Sequence, residues 1–439
     1  MAKNLKICVI GGGSTYTPEL IEGLISGDLS VREIALHDIA AEKLAVVGGL
    51  AARMAEAAGT GVRVTCTTEQ AQALAGADAV ITQLRVGGLA ARALDERIPL
   101  RFDVIGQETT GPGGFAKALR TIPVVLEINA AMARYCPDAP LINFTNPSGL
   151  VTEALRRHGR GLCIGLCNFP ITLRMKAAEA LHIEPDRISL AYFGLNHLSW
   201  SRVLVDGEDR TEALIEMVIA DPVAREMVGY DFAPDTLRRL GLLPSGYLRY
   251  YYDTAAMVDL LQGLQETRAE KLLRVEAELL AQYADPTLRE KPAGLQERGG
   301  AWYSTAALQL LRDLRLCSGV VHVINTTNAG AMPFLPDDVV VEVSTRMGPG
   351  TLETLPVVTP SGDGWLVAGH PIPIDVIRLV RAVKTYELLT VEAALTGDRK
   401  IALEALREHP ILAGCRDRLP ALLDALLEAH RAYLPRFYA

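Results

Sequence analysis

A glycine-rich turn near the start of the chain is the feature that most constrains its fold. The apolar residues 7–10 lead directly into the glycines 11–13, and a helical pattern begins at Pro18. Glycines at such a turn allow the backbone to approach a pyrophosphate closely, and the first turn of the helix supplies N–H donors. Asp38 closes the next apolar run, where its carboxylate can accept hydrogen bonds from both hydroxyls of a ribose. The pattern predicts a dinucleotide-binding turn, although Tyr16 stands where the usual fingerprint has Gly or Ala.

A plain tight turn is the alternative interpretation of these glycines. An acid rather than an arginine at position 38 favours NAD over NADP as the ligand. The residues predicted to hold NAD are Gly11, Gly12, Gly13, Ser14, Thr15, Tyr16 and Asp38.

The first half of the chain alternates apolar runs with amphipathic helical patterns, which is typical of a parallel α/β sheet. Its predicted strands cover residues 6–10, 33–38, 78–84, 140–145 and 161–166, and its predicted helices include residues 18–29 and 40–58. The expected fold is therefore α/β, with a Rossmann-type parallel sheet at the N-terminus.

The pattern changes near residue 197, where a different type of domain is expected. A β-like piece at 198–205 is followed by a long helical stretch at 247–283 and a second helix at 304–316, then by β segments at 322–325 and 339–343 and by final helices at 374–434. We therefore predict an NAD-binding domain at residues 1–196. A mixed α+β domain for substrate, metal and oligomerisation is predicted at residues 197–439.

Composition excludes several classes of protein. The 439 residues include 44 Lys and Arg against 52 Asp and Glu, a net charge of −8, which argues against nucleic acid as a general partner. No stretch approaches the roughly 20 apolar residues of a membrane span. An odd count of seven scattered cysteines fits a reducing compartment better than a secreted chain. A cytoplasmic enzyme is expected.

Two residues could begin a metal site. Cys167 ends a predicted buried strand, at the edge of the sheet where ligands of such folds bind. His197 is a polar residue inside an apolar β-like segment. A thiolate and an imidazole can bind a divalent metal and leave positions open for substrate oxygens. The alternative is an inert core cysteine and a satisfied histidine.

Three further stretches carry chemical groups. Tyr247, Tyr250 and Tyr251 share a helical face, for which core packing is the simpler interpretation. Arginines and turn residues recur at 85–92 and 106–114, and the segment 143–149 is a strand that runs into a turn at the same edge of the sheet.

Taken together, these segments resemble the NAD- and metal-dependent glycosidases of glycoside hydrolase family four, an exception to two-carboxylate glycoside hydrolysis. The resemblance extends from residue 11 to about residue 347. It rests on the motifs GGGSTYTPEL, RVGGLAARALDE, GQETTGPGG, NFTNPSG, CNFP, GLNHLSW, PSGYLRYYY, ERGGAWYS and NTTNAGAMPFLPDD.

The resemblance implies a role for individual residues. Residues 11–16 and Asp38 would hold NAD, and Cys167 and His197 would bind a divalent ion, usually manganese in this family. Tyr247 matches the catalytic base, and Glu108 resembles the acid that makes this tyrosine more basic. The residues implied in substrate binding are Arg92, Asn146, Asn168 and Arg268, of which the last is the looser match.

The implied reaction is redox-neutral. A hydride passes from C3 of the sugar to NAD, Tyr247 removes the C2 proton, the glycosidic oxygen leaves, water adds, and the hydride returns. The sequence Cys-Asn-x-Pro at residue 167 resembles the 6-phospho-β-glucosidases, since relatives acting on α-linked phosphosugars typically have Asp after the cysteine. A helix cap is the alternative explanation of Asn168.

The expected activity is thus hydrolysis of phosphorylated β-glucosides such as cellobiose 6-phosphate, by a homodimer or homotetramer. A family member with another sugar or anomer, such as a 6-phospho-α-glucosidase or an α-galactosidase, is the first alternative. An NAD-dependent hydroxyacid dehydrogenase, which would release NADH stoichiometrically, is the second. A non-catalytic nucleotide sensor is the third, and it leaves Cys167, His197 and Tyr247 unexplained.

Overall fold

The computed structural model describes residues 4–26, 29–298, 302–348 and 351–439. Residues 27–28 of the helix predicted at 18–29 and residues 299–301 of the motif ERGGAWYS lie outside the described residues. The strands are β1 Leu5–Ile10, β2 Val31–His37, β3 Arg63–Thr67, β4 Ala79–Thr82, β5 Leu141–Asn143, β6 Cys163–Gly165, β7 Ile188–Leu195, β8 Leu198–Val205, β9 Glu208–Asp209, β10 Leu243–Pro244, β11 Val321–Thr327, β12 Val340–Gly348, β13 Thr351–Thr354, β14 Val358–Ser361, β15 Gly364–Val367 and β16 His370–Pro371.

Helices cover both faces of the main sheet and build most of the C-terminal half. They are α1 Thr17–Ser26, α2 Ala41–Ala58, α3 Gln70–Leu74, α4 Gly88–Leu100, α5 Gly111–Tyr135, α6 Ser148–His158, α7 Phe169–Leu181, α8 Thr211–Ala220, α9 Pro234–Leu240, α10 Arg249–Tyr252, α11 Thr254–Gly263, α12 Arg268–Tyr283, α13 Tyr303–Leu316, α14 Ile374–Thr396, α15 Arg399–Glu408 and α16 Leu419–Ala429. None of the described helices is both long enough and apolar enough to cross a membrane.

The main sheet begins as a Rossmann sheet. Its first six strands lie in the order β3-β2-β1-β4-β5-β6, and every pair among them is parallel. This is the order of a doubly wound dinucleotide-binding fold, whose ligands bind beyond the carboxyl ends of the strands where the order reverses. The predicted α/β fold with an N-terminal Rossmann-type sheet is confirmed.

Alternate residues of β1 point into two different hydrophobic cores, as expected for a strand buried on both faces. Ile7 and Val9 pack with α1, α2, α12 and α13 on one side of the sheet. Cys8 and Ile10 pack with α5, α6 and α14 on the other side. The sheet is thereby fixed from both faces, and the loops at its carboxyl edge stand on a rigid base.

Three antiparallel strands from the second half of the chain extend the same sheet. β11 pairs with β6, β12 pairs with β11, and β13 pairs with β12. Other C-terminal strands form a small antiparallel sheet of β7 to β10 and a second one of β14 to β16. The C-terminal half is therefore mixed α+β, as predicted, and the domain division at residue 196 stays a prediction.

Two expectations from the sequence were wrong. The helical stretch predicted at 247–283 is divided into a short 3₁₀ turn, α10, α11 and α12. Its last division follows from a capping box that starts α12: the Thr267 hydroxyl accepts the Glu270 N–H, and the Glu270 carboxylate accepts the Thr267 N–H. The edge strand β3 was missed because its residues, RVTCT, are mostly polar and only partly buried.

Candidate active site

The predicted functional residues gather at the carboxyl edge of the parallel sheet. Gly11 follows β1, Asn146 follows β5, and Cys167 follows β6, each within a few residues of the strand end. β1 and β4 are neighbours, and the chain winds away from them in opposite directions, which opens a crevice between their loops. The fold thus brings segments that are far apart in sequence to one crevice.

The glycine turn has the geometry of a dinucleotide cradle. Gly11 has φ = 90°, and a side-chain Cβ there would lie 2.9 Å from the backbone of Leu84, so only glycine fits. The Gly13 N–H donates to a carboxylate oxygen of Asp38 (2.9 Å), which ties the turn to the end of β2. The buried Thr15 hydroxyl has no hydrogen-bond partner among the described residues. These features fit NAD held between β1, α1 and Asp38.

His197 and Tyr247 form the centre of the site. His197 lies in the turn between β7 and β8, where Leu195 pairs with Leu198, and has φ = 64°. Its ring stacks on that of Tyr247, with centroids 3.7 Å apart and planes 3° from parallel. Its Nδ1 lies 2.9 Å from the Thr109 hydroxyl. A left-handed conformation is unfavourable for a residue with a side chain, and such strain concentrates at functional sites.

His197 is held in the neutral form that binds metals. Burial lowers its pKa from 6.5 to about 3, because the imidazolium would be removed from water; the charge of Glu108 opposes this and that of Lys117 adds to it. A neutral imidazole has one ring nitrogen free of a proton, and the bond between Thr109 and Nδ1 leaves Nε2 for a ligand.

Cys167 stands beside this pair, between β6 and α7. Its sulfur accepts the Phe169 N–H (3.5 Å) and a hydrogen bond from the Asn196 side chain. Burial, and then the nearby charge of Glu342, raise the pKa of the thiol. Burial raises the pKa of Tyr247, and the charge of Cys167 raises it further.

Cys167 and His197 fit a divalent metal site that is completed by substrate. Among the described residues, no group of three or more His, Cys, Asp or Glu side chains could hold a metal by itself. A bound cation would favour the thiolate that burial disfavours. Two protein ligands leave coordination positions for oxygens of a sugar.

Glu108 is surrounded by cations. Arg92 lies 2.8 Å from one of its oxygens, Lys117 lies 2.7 Å from the other, and Arg85 pairs with that second oxygen as well. Burial raises the pKa of Glu108, but Arg85, Arg92 and Lys117 together hold it well below its usual range. Lys117 has its pKa lowered to about 7, first by burial and then by the charge of Arg85. Glu108 therefore stays ionised.

A cluster of arginines extends from Glu108 to the glycine turn. Arg92 also pairs with Glu96 (2.7 Å), and Arg298 reaches the Ser14 hydroxyl (3.4 Å). Burial and then the charge of Arg92 lower the pKa of Arg268, and burial and then Arg85 lower that of Arg298. The charges of the four arginines thus influence one another, and together they form a basic cluster that can attract an anion.

Asn146 and Asn168 lie on the loops that border the site. The side-chain oxygen of Asn146 accepts the Ser148 N–H (3.3 Å). Asn168 precedes α7, but its side chain makes no cap hydrogen bond to that helix. Helix capping therefore does not explain Asn168.

Tyr247 is set apart from the other tyrosines of its cluster by its contacts. Tyr250 lies 6.4 Å from the Tyr247 ring, between centroids, and its hydroxyl accepts a hydrogen bond from Arg249. Tyr251 stacks on His409. The hydroxyl of Tyr252 accepts the Trp200 indole N–H (3.1 Å).

Sequence reasoning missed three residues at this site. Lys117 and Glu342 are charged residues inside apolar segments, FAKAL and VVVEV, and that contrast was the available signal. Arg298 carried no signal outside its motif. Glu342 is buried on β12, and burial raises its pKa to about 7.

Comparison with known proteins assigns both halves of this chain to one family. The model of the family 4 glycosyl hydrolases matches residues 6–183, and the model of their C-terminal domain matches residues 192–412. A probable 6-phospho-β-glucosidase of Bacillus subtilis is 44% identical over 100% of this chain and 99% of its own length.

One solved structure and one more distant relative complete the comparison. The 6-phospho-β-glucosidase of Thermotoga maritima, solved with manganese, NAD⁺ and glucose-6-phosphate, is 37% identical with a TM-score of 0.87, over 98% of this chain and 99% of that one. A maltose-6′-phosphate glucosidase of B. subtilis is only 28% identical, over 99% of this chain and 97% of its own length. The expected family is confirmed: the chain belongs to the family 4 glycosyl hydrolases.

Proposed function

We propose that this protein is a 6-phospho-β-glucosidase that works by the redox-neutral route of oxidation, elimination, addition and reduction. The observation that carries the proposal is the parallel stack of Tyr247 on His197 beside Cys167. This arrangement supports Tyr247 as a general base near the metal ligands, which removal of a proton from an oxidised sugar requires. The full-length relatives at 37–44% identity that are named 6-phospho-β-glucosidases support this substrate class over the α-linked one.

The cofactors of this enzyme are NAD and a divalent metal, with manganese the best candidate. The glycine turn, residues 11–16, together with Asp38 would hold NAD, which supplies a hydride acceptor for C3 of the sugar. Cys167 and His197 would hold the metal, which supplies a Lewis acid for oxygens of the sugar. Both assignments agree with the donor chemistry of these residues.

Tyr247 is proposed as the base that accepts the C2 proton. Burial raises its pKa, and the positive charge of Arg92 acts in the opposite direction. Glu108 fixes Arg92 by an ion pair and holds Arg85 and Lys117 in the same cluster. The charge of Glu108 itself raises the pKa of Tyr247, which supports its proposed role as the acid that makes this tyrosine more basic.

The arginine cluster supports a phosphorylated substrate. Arg92 and Arg268, which the family resemblance implies in substrate binding, influence each other electrostatically and belong to the same cluster as Arg85 and Arg298. A phosphate matches the fork of N–H donors that a guanidinium presents. Asn146 and Asn168 are proposed to bind the sugar hydroxyls from the opposite loops.

The proposed assembly and location follow the family expectation. We propose a homodimer or homotetramer in the cytoplasm that binds a phosphorylated disaccharide or β-glucoside and neither nucleic acid nor membrane. Exposed apolar side chains such as Leu316, which is 68% exposed, are available for such contacts. Light scattering coupled to gel filtration measures the oligomeric state directly.

The test of function is a panel of p-nitrophenyl α- and β-glycosides, with and without a 6-phosphate. Each is assayed with NAD and Mn²⁺ under reducing conditions. The proposal expects turnover of the 6-phospho-β-glucoside without net release of NADH. Preferred turnover of the α-anomer or of an unphosphorylated sugar would assign the chain to another activity of the family, and stoichiometric NADH would indicate a dehydrogenase.

A further inference from the structure

Glu342 is a buried carboxylate that interrupts the apolar run at residues 339–343. It lies on β12 between Val341 and Val343 and is 1% exposed. A buried carboxylate is retained only where its oxygens are hydrogen-bonded. Its partners therefore indicate what it does.

Three neutral donors from three separate segments converge on this carboxylate. The side-chain amides of Asn325 on β11 and of Asn196 in the β7–β8 turn both donate to Oε1, each at 3.0 Å. The hydroxyl of Tyr192 on β7 donates to Oε2 at 3.0 Å and also contacts Ser199 at 2.6 Å. Both amides donate to the same oxygen, so an acceptor is required at Oε1, whereas the Tyr192 hydroxyl at Oε2 could accept as well as donate.

Two of these donors, Asn196 and Asn325, lie next to the segments that carry the proposed metal ligands. Asn196 is the residue before His197, and its side chain also hydrogen-bonds the Cys167 sulfur. Asn325 is paired in register with Gly165, two residues before Cys167. Glu342 and Asn325 are themselves opposite each other in the β11–β12 ladder. The antiparallel extension of the sheet thus reaches both ligand-bearing segments.

We propose that Glu342 is a positioning residue for the metal site, acting through Asn196 to orient Cys167 and His197. The inference rests on the metal ligands of the proposed function. Groups that orient metal ligands from outside typically change metal affinity by about 10–100-fold when they are lost.

A purely structural role for the network makes a different prediction. If Glu342 only joined β7 to β12, its loss would lower thermal stability and leave the metal affinity of the folded protein unchanged. The two roles are therefore separated by measuring Mn²⁺ binding itself, independently of turnover.

The experiment measures the Kd for Mn²⁺ by electron paramagnetic resonance of the free ion, with full-length enzyme saturated with NAD. Glu342→Gln keeps the shape of the side chain but turns one acceptor into a donor. We expect its Kd for Mn²⁺ to rise by about 10–100-fold, with the Kd for NAD within about twofold of the wild-type value. A Kd for Mn²⁺ within twofold of wild type in the folded variant overturns the proposal.

Asp313→Asn is the matched control, since Asp313 is also a buried carboxylate (2% exposed) and pairs with His322 on β11. It should lower the melting temperature without changing the Kd for Mn²⁺, and an equal loss of affinity in this variant would also overturn the proposal. If Glu342→Gln does not fold, Asn196→Ala tests the same path by removing the bridging amide. An unchanged Kd for Mn²⁺ in that variant overturns the proposal as well.

Cys167→Ser separates this proposal from the function on which it rests. If Cys167→Ser binds Mn²⁺ as wild type does, the ligand assignment fails, and the role of Glu342 falls with it. If Cys167→Ser loses Mn²⁺ and Glu342→Gln keeps it, the metal site stands and only the positioning role is wrong.

Discussion

The phenol ring of Tyr247 lies on the imidazole of His197 with 3.7 Å between the ring centroids and 3° between the planes. His197 is fixed by the β7–β8 turn and by Thr109, so the stack also fixes the phenol. A base that must reach one carbon of a bound sugar benefits from such a fixed position, because small displacements slow proton transfer. The stack therefore couples the proposed base to a proposed metal ligand.

Tyr247→Phe is expected to lower kcat by about 10²–10⁴-fold, the usual effect of losing a general base. The ring and its contact with His197 remain, so the substitution removes the hydroxyl alone. The measurement is solvent-deuterium exchange at C2 of the sugar, followed by NMR during turnover. Wild type should incorporate deuterium, and Tyr247→Phe should lose most of that rate while it still transfers hydride.

Tyr250→Phe is the control for this assignment. Its hydroxyl lies in the same tyrosine cluster but contacts Arg249 rather than His197. We expect the exchange rate of this variant to stay near the wild-type rate. Exchange that stops in Tyr250→Phe or Tyr251→Phe and continues in Tyr247→Phe would assign the base to another tyrosine.

Turnover is expected to require NAD and a divalent metal together. Enzyme that has been treated with a chelator and stripped of nucleotide should be inactive, and Mn²⁺ with NAD should restore the rate where either alone does not. His197→Ala should abolish the response to Mn²⁺ and leave NAD binding measurable by fluorescence. Cys163→Ala changes a buried cysteine on β6, the strand that leads to Cys167. This variant should respond to Mn²⁺ as wild type does. Full turnover by the stripped enzyme would contradict the mechanism.

The sequence predicted the Rossmann half of this fold because its strands are apolar on both faces. The run before Gly11 is fully buried, and a strand buried on both faces gives an uninterrupted apolar signal. β3 gave no such signal because it lies at the sheet edge. The start of α12 within residues 247–283 is marked by the capping box of Thr267 and Glu270. This local signal was hidden because the residues on both sides of it also have a helical pattern.

Site residues could be predicted where they stand in a recognisable motif. They could not be predicted where only the packing of the folded chain brings them to the site. Cys167, His197 and Tyr247 stand in motifs, and the structure brings them together. Lys117 contacts Glu108, which lies nine residues earlier, whereas Glu342 contacts Asn196, which is far away in the chain. Nothing in a single sequence states which distant acid or amide such a residue will meet, since that depends on how β11 and β12 join the sheet.

Arg268→Met is expected to weaken binding of phosphorylated substrates selectively. A hydrogen bond from a charged group to phosphate contributes about 1.5–3 kcal/mol, so KM for the 6-phospho-β-glucoside should rise roughly 10–100-fold. Arg274→Met is the matched control, because Arg274 lies on the same helix, is exposed and pairs with Glu266. Steady-state kinetics with and without the 6-phosphate on the sugar provide the comparison. Equal effects of Arg268→Met on both substrates would show that Arg268 does not recognise the phosphate.

Acid should destabilise this protein through its buried histidines, and His409 offers the cleanest test. His409 is 1% exposed, its Nδ1 accepts the Ile411 N–H (3.3 Å), and its ring packs edge-on against Tyr386. Burial lowers its pKa from 6.5 to about 3. Between these two values the unfolded chain binds a proton that the folded chain excludes.

The free energy of unfolding therefore falls as the pH falls below 6.5, by about 1.4 kcal/mol per pH unit for each such histidine. His197 contributes in the same direction in metal-free enzyme. His409→Gln retains an acceptor for Ile411 but cannot take up the proton, so its stability should depend on pH with a slope smaller by about one proton. Urea unfolding of the metal-free protein from pH 7.5 to 4.5 measures this slope, with His158→Gln, on the exposed end of α6, as a control that keeps the wild-type slope. An unchanged slope in His409→Gln would mean that His409 is already protonated in the folded protein or exposed to solvent.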